Sequence, residues 1–415
     1  MAQDPLVSNI PQSTKIEPLD VSPPSSTVER RGSSLLNNFM ALMLGSKNPP
    51  AHPADPLTKT VWLLDNTAYR PVSIDTNQPM NTWQTEVVAC IFETEGHKDI
   101  GKFVAGILDH IGRNDEAGSG DEAEEATRQR IEHRLQAFLD QVSPGRTLTL
   151  EVNVGCSTQS HQLGPSDRNG VISQIIDLGP LDVDEKTVVH STLQTFDSRT
   201  SVMETRFEPP EGWLVISDID DTIKRTMTRE TTGILRTTFA EEPVAIPGMS
   251  EFYRYIHDEL SPAWFYLSAS PYNLYPFLRS FLHRHYCPGT LILRDYSWMD
   301  ISSLIESFTE NTHDYKEDRM EKIRRWFPHR RVLCIGDSTQ MDPEAYANIY
   351  RRYPDWIHGI IIRKVTDVPH MEEKNAAGRF EKAFKDLPPS IWTVFEDSCE
   401  LYEFVDTLGM EDQVL

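Results

Sequence analysis

Three carboxylates follow one apolar segment of the chain within four positions. Residues 213–217 read Trp-Leu-Val-Ile-Ser, which is typical of a buried strand, and Asp218, Asp220 and Asp221 come directly after them. Carboxylates this close together repel one another, and their burial is costly unless a cation neutralises them. A solvated acidic turn or a helix N-cap could have the same residues. The carboxyl end of a buried strand is, however, where open α/β sheets bind their ligands, so the spacing favours a cation-assisted catalytic site.

The run from Asp218 to Thr222, Asp-Ile-Asp-Asp-Thr, resembles the first motif of the haloacid dehalogenase superfamily, whose phosphatases use an aspartate nucleophile. The other motifs of that superfamily can be assigned in order along the chain. Ser268 ends a predicted strand and resembles the second motif, and Lys316 opens a predicted helix and resembles the third. Asp337 and Asp342 follow another predicted strand and resemble the fourth. Four motifs in order make a stronger case than any one of them.

The resemblance implies a catalytic role for four side chains. Asp218 would attack the phosphoryl group and form an aspartyl-phosphate, which divides one difficult displacement into two easier ones. Asp220 would protonate the leaving oxygen and then activate the hydrolytic water. Ser268, with Ser270 as the competing assignment, would hydrogen-bond the transferring phosphoryl group, and Lys316 would offset charge on the nucleophile and the phosphate.

The resemblance also implies a bound Mg²⁺, a hard cation that takes oxygen ligands in octahedral geometry. The expected protein ligands are the carboxylates of Asp218 and Asp337 and the backbone carbonyl of Asp220. Asp342 is expected to contribute either as a direct ligand or through a neighbouring ligand.

Strand-type and helical segments alternate from residue 213 onward, which predicts a doubly wound α/β domain with a parallel sheet covered by helices on both faces. Residues 61–207 instead contain several alternating apolar runs and one helical pattern at 126–142, which predicts a mostly β domain. The predicted organisation is therefore a disordered Pro/Ser-rich tail at 1–58, a mostly β domain at 59–207, a haloacid dehalogenase-like phosphatase domain at 208–370 and a helical C-terminal extension at 371–415.

The spacing of the motifs leaves room for a flap at about 224–244 but not for a large cap domain. An open site of this kind favours a bulky or surface-bound phosphomonoester over a small enclosed metabolite. Asp221 and Thr222 are interpreted as N-caps of a helix or of this flap. The flap is also basic within an acidic protein, so it is either an anionic-headgroup site or a solvated surface, and its basic residues are Lys224, Arg225, Arg229 and Arg236.

A closer resemblance covers roughly residues 60–367. Five segments are similar to the fungal actin-patch phosphatidate phosphatase family: VWLLDNTAYRP from Val61, SDIDDTIK from Ser217, IPGMSEFY from Ile246, YLSASP from Tyr266 and LRDY from Leu293. The resemblance implies magnesium-dependent hydrolysis of phosphatidate to diacylglycerol at cortical actin patches, where endocytic proteins gather. The second motif reads Ser-Ala-Ser where the family leads us to expect Ser-Asn-Ser, and the serine itself is in place.

The composition and sequence patterns restrict the classes of binding partner and the cellular compartment that we expect. A formal net charge of −23 disfavours nucleic acid and non-specific adsorption to anionic membranes. No run approaches the roughly 18–20 apolar residues of a membrane span. The start of the chain lacks a secretory-signal pattern, and the five cysteines are scattered, without a CxxC pair. These features predict a cytoplasmic protein with reduced thiols, and the family resemblance implies a position peripheral to membranes.

The predicted tail contains two segments that stand out. Residues 35–44 form an apolar island, interpreted as a helix that docks on the folded body or as a lipid- or partner-contacting segment. Residues 50–56 have the PxxP spacing that an SH3 domain of an endocytic or actin protein could read, although an ordinary linker has the same composition. Two other functions therefore remain open: a phosphatase of a soluble phosphomonoester or phosphoprotein, and an endocytic adaptor with incidental catalysis.

Overall fold

The structure is a computed structural model, and it describes residues 51–94, 100–111, 121–155, 157–193, 195–197, 200–294 and 312–411. The apolar island at 35–44 and most of the predicted tail lie outside these residues. Within the predicted tail, His52–Pro53 forms a short strand, β1, which pairs in parallel with Arg146 and Thr147.

The first half of the described chain is mostly β, as predicted. Its elements are β2 (Lys59–Leu63), β3 (Asn66–Tyr69), β4 (Trp83–Glu93), α1 (Ile100–Ile111), α2 (Asp121–Leu139), β5 (Arg146–Val154), β6 (Ser157–Leu163), β7 (Val171–Gly179), β8 (Val188–Thr192) and β9 (Val202–Phe207). The sheet order is β1-β5-β8-β9-β3-β4-β2, with β6 on β5 and β7 on β4. Alternate side chains of β5 point into the core, as expected for a strand with one buried face.

The second half forms a six-stranded parallel sheet with helices. Its elements are β10 (Trp213–Asp218), α3 (Thr231–Leu235), a π-helical turn (Arg236–Ala240), α4 (Met249–Leu260), β11 (Ala263–Pro271), α5 (Tyr275–His285), β12 (Thr290–Arg294), α6 (Thr312–Trp326), β13 (Arg331–Asp337), α7 (Asp342–Arg352), β14 (Ile357–Arg363), α8 (Ala377–Ala383), β15 (Trp392–Phe395) and α9 (Tyr402–Glu411). The sheet order is β12-β11-β10-β13-β14-β15, and every neighbouring pair is parallel.

Both faces of the parallel sheet are covered, which confirms the predicted layering. On β10, Leu214 and Ile216 share an apolar cluster with α6 and α7, whereas Trp213 and Val215 share another with α4 and α5. Successive residues of a strand point to opposite faces. Because both faces are covered, every residue of β10 is buried. This explains why the central strands read as continuous apolar runs.

The β-rich half and the parallel-sheet half pack directly against each other. Four apolar residues of α2 belong to the same buried cluster as Phe239 of the π-helical turn, namely Ile131, Leu135, Phe138 and Leu139. At the junction between the halves, the fully buried guanidinium of Arg330 donates to the carbonyls of Pro209 and Trp213 and to the Glu208 carboxylate, 3.0 Å away. The two halves are therefore joined by an apolar core and by a buried ion pair.

Several details differ from the sequence-based expectations. Lys316 does not open its helix but lies in the second turn of α6, which begins at Thr312. The predicted helix at 396–408 is a 3₁₀ turn at Ser398–Leu401 followed by α9. Elements that the patterns did not predict include β3, β6, β9, α1, α7, α8 and β15, most of which are short or polar.

Among the described residues, no helix combines the length and the apolar character needed to cross a membrane. The cysteines within the described ranges, Cys90, Cys287, Cys334 and Cys399, are free thiols.

Candidate active site

Asp218 is the last residue of β10, and its carboxylate meets the ammonium group of Lys316. The Lys316 Nζ lies 2.7 Å from Asp218 Oδ1 and also contacts Asp342 Oδ1. All three side chains are at most 1% exposed. Because β10, β11 and β13 are parallel neighbours, their carboxyl ends meet at one edge of the sheet, and α6 brings Lys316 to the same edge. The sequence-predicted first, third and fourth motifs therefore come together.

Asp220, two residues further on, is surrounded by hydroxyl donors. The Ser268 hydroxyl, on β11, lies 2.7 Å from Asp220 Oδ2, and the Thr226 hydroxyl lies 2.7 Å from Oδ1. The Ser270 hydroxyl is further away, at 3.4 Å from Oδ2, and its backbone N–H donates to Ser268 Oγ. Both candidates for the second motif thus face Asp220, with Ser268 the closer, and the carboxylate is held in one orientation.

Asp221 anchors the turn at the start of the flap. Its backbone adopts a positive φ of 60°, a conformation that Asp tolerates better than most residues. Its carboxylate accepts hydrogen bonds from the backbone N–H groups of Thr226, Met227 and Thr228 at 2.7–2.9 Å. Of the two capping roles that the sequence left open, the structure shows the flap and not a helix.

Thr222 contributes to the site directly, which the capping interpretation of the sequence missed. Its hydroxyl lies 2.9 Å from Asp218 Oδ2 and 3.2 Å from Asp337 Oδ2. The signal was its place in the DxDxT pattern, four residues after Asp218, where a tight turn returns the side chain to the strand end. Thr222 therefore links the first and fourth motifs.

The fourth motif is a tight loop between β13 and α7. The backbone N–H of Asp337, the last residue of β13, donates to Asp342 Oδ2 at 3.0 Å, and Asp342 begins α7. Asp218, Asp337 and Asp342 each place a carboxylate oxygen within 4.8 Å of the other two, and all three are buried. The resemblance implied Asp218 and Asp337 as cation ligands, and Asp342 as a direct ligand or a contributor through a neighbouring ligand.

Carboxyl groups outnumber ammonium groups in this cluster, with Asp218, Asp337 and Asp342 around Lys316. Burial raises the pKa of Asp218 well above its usual value, against the opposing charge of Lys316, and the nearby Asp342 and Asp337 carboxylates raise it further. Burial and the Asp342 carboxylate raise the pKa of Asp337 to about 7. Burial lowers the pKa of Lys316, but the surrounding carboxylates more than offset this, so its pKa lies above the usual value. When all three carboxyl groups are ionised, one ammonium leaves negative charge that a divalent cation would neutralise, and a set of oxygen donors suits Mg²⁺.

The basic flap is not one uniform surface. Lys224 is 1% exposed, and its ammonium donates to Thr226 Oγ1 at 2.8 Å and lies 3.8 Å from Asp220 Oδ1. Burial lowers the pKa of Lys224, and the neighbouring carboxylates oppose this shift. The interpretation of Lys224 as part of a solvated surface is therefore wrong, because its side chain is buried and its ammonium points into the site. Arg225 and Arg229 are exposed.

The family model described as "Phosphatidate phosphatase APP1, catalytic domain" matches residues 213–364. This range contains all the residues of the buried charged cluster, namely Asp218, Lys316, Asp337 and Asp342. Residues 213–364 belong to this family. The chain is 29% identical over 185 residues to Phosphatidate phosphatase APP1 of Saccharomyces cerevisiae, an alignment that covers 43% of this chain and 31% of the yeast protein. It is 26% identical over 186 residues to an uncharacterised protein of Schizosaccharomyces pombe, covering 44% of this chain and 30% of that protein. The chain thus spans about a third of the length of the curated relatives it matches.

Proposed function

We propose that this chain is a magnesium-dependent phosphatidate phosphatase that hydrolyses phosphatidate to diacylglycerol and phosphate. The observation that carries the proposal is the pairing of Asp218 with Lys316 and of Asp220 with Ser268, within a domain of the phosphatidate phosphatase family. A haloacid dehalogenase-like identity of the parallel-sheet domain belongs to the same proposal. It is supported by the layered parallel sheet and by the convergence of the motifs at its carboxyl edge.

In the first step, a carboxylate oxygen of Asp218 attacks phosphorus, and the bond to the glycerol oxygen breaks. The electron pair leaves with that oxygen, which takes a proton from Asp220, so diacylglycerol departs and an aspartyl-phosphate remains. In the second step, water gives its proton to Asp220 and attacks the same phosphorus, releasing phosphate and regenerating Asp218. Ser268 and Thr226 hold the Asp220 carboxylate in place through both steps.

Asp218, Asp337, Asp342 and the backbone carbonyl of Asp220 would hold Mg²⁺. When bound, Mg²⁺ neutralises charge on the phosphate oxygens and the carboxylates. Lys316 contributes a fixed positive charge beside Asp218 at the same time. Electrostatic preorganisation of this kind is the principal requirement of phosphoryl transfer.

The experiment that tests the proposal measures phosphate release from phosphatidate in detergent micelles, with Mg²⁺ or with EDTA. A panel of glycerol 3-phosphate, p-nitrophenyl phosphate and a phosphoserine peptide is run in parallel. Phosphatidate should be the preferred substrate, and EDTA should abolish the activity. Preference for a soluble ester or for the phosphopeptide would favour the alternative phosphatase function, and no release from any substrate would favour an adaptor.

Asp218→Asn provides the control for the nucleophile because it preserves the shape of the side chain and removes its charge. Asp75→Asn, on an exposed loop of the β-rich half, is the matched variant. Asp218→Asn should reduce phosphate release to background, whereas Asp75→Asn should leave it unchanged. Retained activity in Asp218→Asn would contradict the assignment of the nucleophile.

A cytoplasmic location at cortical actin patches, with SH3-domain proteins binding the PxxP segment, also belongs to the proposal. It is supported by the family resemblance of the sequence and by the exposure of Pro53. Fluorescence microscopy of the tagged chain with an actin-patch marker tests the location, and Pro53→Ala in an SH3 pull-down tests the partner.

A further inference from the structure

Arg379 of α8 donates hydrogen bonds to the loop that joins Asp337 to Asp342. Its Nη1 donates to the carbonyls of Ser338, at 2.6 Å, and of Lys374, at 2.9 Å. Its Nη2 donates to the carbonyl of Gln340, at 2.5 Å, and to Glu344 Oε2, at 2.8 Å. Its Nε donates to Glu344 Oε1, also at 2.8 Å. Every N–H donor of the guanidinium is therefore used.

These contacts fix both ends of the loop. Ser338 and Gln340 lie between the two carboxylates of the fourth motif, and Glu344 lies in the first turn of α7, which Asp342 begins. Carbonyls of an irregular loop need a partner once they are removed from water. The planar guanidinium is the hydrogen-bond partner of two of these carbonyls, and it also holds Glu344 through a pair of parallel hydrogen bonds. A lysine cannot reproduce this geometry.

The Arg379 side chain is 14% exposed, and it lies outside the segment 213–364 that the family model matches. The sequence predicted a helical C-terminal extension at residues 371–415 and assigned no role to it. Within the described residues, none of the hydrogen bonds that Arg379 makes goes to Asp218, Asp220, Asp337 or Asp342, so any effect on the reaction must act through the loop.

We propose that Arg379 is a positioning residue that holds the loop from Asp337 to Asp342 in the conformation that binds the cation. The inference rests on the proposed magnesium site. Without Arg379, Ser338 and Gln340 lose the partner of their carbonyls, and the loop turns them toward water. The Asp337 and Asp342 carboxylates then spread apart, and cation binding must first restore their geometry. Loss of groups that orient metal ligands typically lowers metal affinity by about 10–100-fold.

The test measures Mg²⁺ binding to the full chain by isothermal titration calorimetry and by the Mg²⁺-dependent rise in melting temperature. Arg379→Gln should weaken Mg²⁺ binding about 10–100-fold, and Arg379→Lys should weaken it less because one ammonium can still reach a carbonyl. In phosphate release, the Mg²⁺ concentration for half-maximal activity should rise by the same factor. Glu344→Gln keeps the guanidinium but weakens its orientation, and it should give a smaller change in the same direction.

Arg351→Gln is the matched control. Arg351 lies on α7 and donates to the carbonyl of Ala383, at 2.6 Å, and to Asn348, but not to the loop of the fourth motif. It should lower the melting temperature without changing Mg²⁺ affinity. Wild-type Mg²⁺ affinity in both Arg379 variants would overturn the inference, as would a wild-type chain that binds no Mg²⁺. If the chain binds Mg²⁺ but does not hydrolyse phosphatidate, the proposed function fails and the role of Arg379 is still decided by calorimetry.

Discussion

Gly336 lies directly against Asp342: a Cβ atom on residue 336 would be 2.7 Å from Asp342 Cβ and 2.8 Å from Asp342 Cγ. Real Cβ atoms do not approach other carbons this closely, so any side chain at residue 336 must displace the carboxylate. We therefore expect Gly336→Ala to lower phosphate release by about 100-fold, the usual cost of moving a catalytic group by about 1 Å. Steady-state kinetics with saturating Mg²⁺ measure the effect.

Gly106→Ala is the control for this substitution. Gly106 lies within α1, and a Cβ there would meet nothing within 4 Å. Alanine should stabilise the helix slightly, by about 1 kcal/mol, and leave the kinetics unchanged. Equal activity of Gly336→Ala and wild type would show that Asp342 is not needed in its present position.

The turn that Asp221 anchors should open when its carboxylate is removed. Hydrogen bonds to a charged group contribute about 1.5–3 kcal/mol to stability. Asp221→Ala should therefore speed amide hydrogen exchange at Thr226, Met227 and Thr228 by about 10–100-fold. Asp221→Asn tolerates the positive φ and keeps one acceptor oxygen, so it should give an intermediate rate. Unchanged exchange in Asp221→Ala would show that the turn is held by other contacts.

The stabilising effect of Mg²⁺ should increase with pH. An aspartate in an unfolded chain has a pKa of about 3.9, whereas burial and the Asp342 carboxylate raise the pKa of Asp337 to about 7. The folded protein without Mg²⁺ then binds more protons than the unfolded chain between these values, so its free energy of unfolding falls as pH rises from about 4 to about 7. Bound Mg²⁺ favours the ionised carboxylate and should oppose this loss.

Melting temperatures measured from pH 5 to pH 8, with and without Mg²⁺, check this dependence. The difference between the two series should widen as pH rises, and Asp337→Asn should reduce both the difference and its slope. A difference that is constant across this range would show that the buried carboxylates do not bind the cation.

Replacing Arg330 should lower the free energy of unfolding more than replacing most other ion-pair residues. Removing one partner of a buried pair leaves the other charge unpaired and destabilises a protein by about 3–5 kcal/mol. Arg330→Met should therefore lower the free energy of unfolding by about this amount, measured by urea denaturation. Arg128→Met is the comparison, because the Arg128 side chain is 57% exposed and that of its partner Glu132 is 36% exposed. Surface pairs contribute about 0–1 kcal/mol, and equal losses in the two variants would contradict the structural role given to Arg330.

The convergence of the motifs could be predicted from the sequence because it follows from strand order and polarity. Parallel strands end at one edge of the sheet, so Asp218, Ser268 and Asp337 had to lie near one another once each was placed after a strand. Lys316 was found by its position between the second and fourth motifs, although the start of its helix was placed four residues too late. The apolar runs of β10 and β13 made the parallel sheet recognisable.

What could not be predicted depends on contacts between distant parts of the chain. The local sequence does not distinguish Lys224 from an exposed lysine. Its burial follows from the turn that Asp221 organises. The loop contacts of Arg379 depend on the path of the chain after β14, which no local pattern encodes. β3 is four residues long and contains two polar ones, Asn66 and Thr67, so it is a strand because β4 and β9 flank it, not because of its own sequence.

The packing of α2 on the flap limits which chimeras of this chain can fold. Phe138 of α2 and Phe239 of the π-helical turn lie with ring centroids 5.5 Å apart, and Arg134 of α2 donates to the carbonyls of Thr238 and Glu241. Only the flap side of this contact falls within the family-matched segment 213–364. Exchanging that segment for its counterpart in a relative would bring a foreign flap against α2. A working chimera must therefore carry α2 together with the segment.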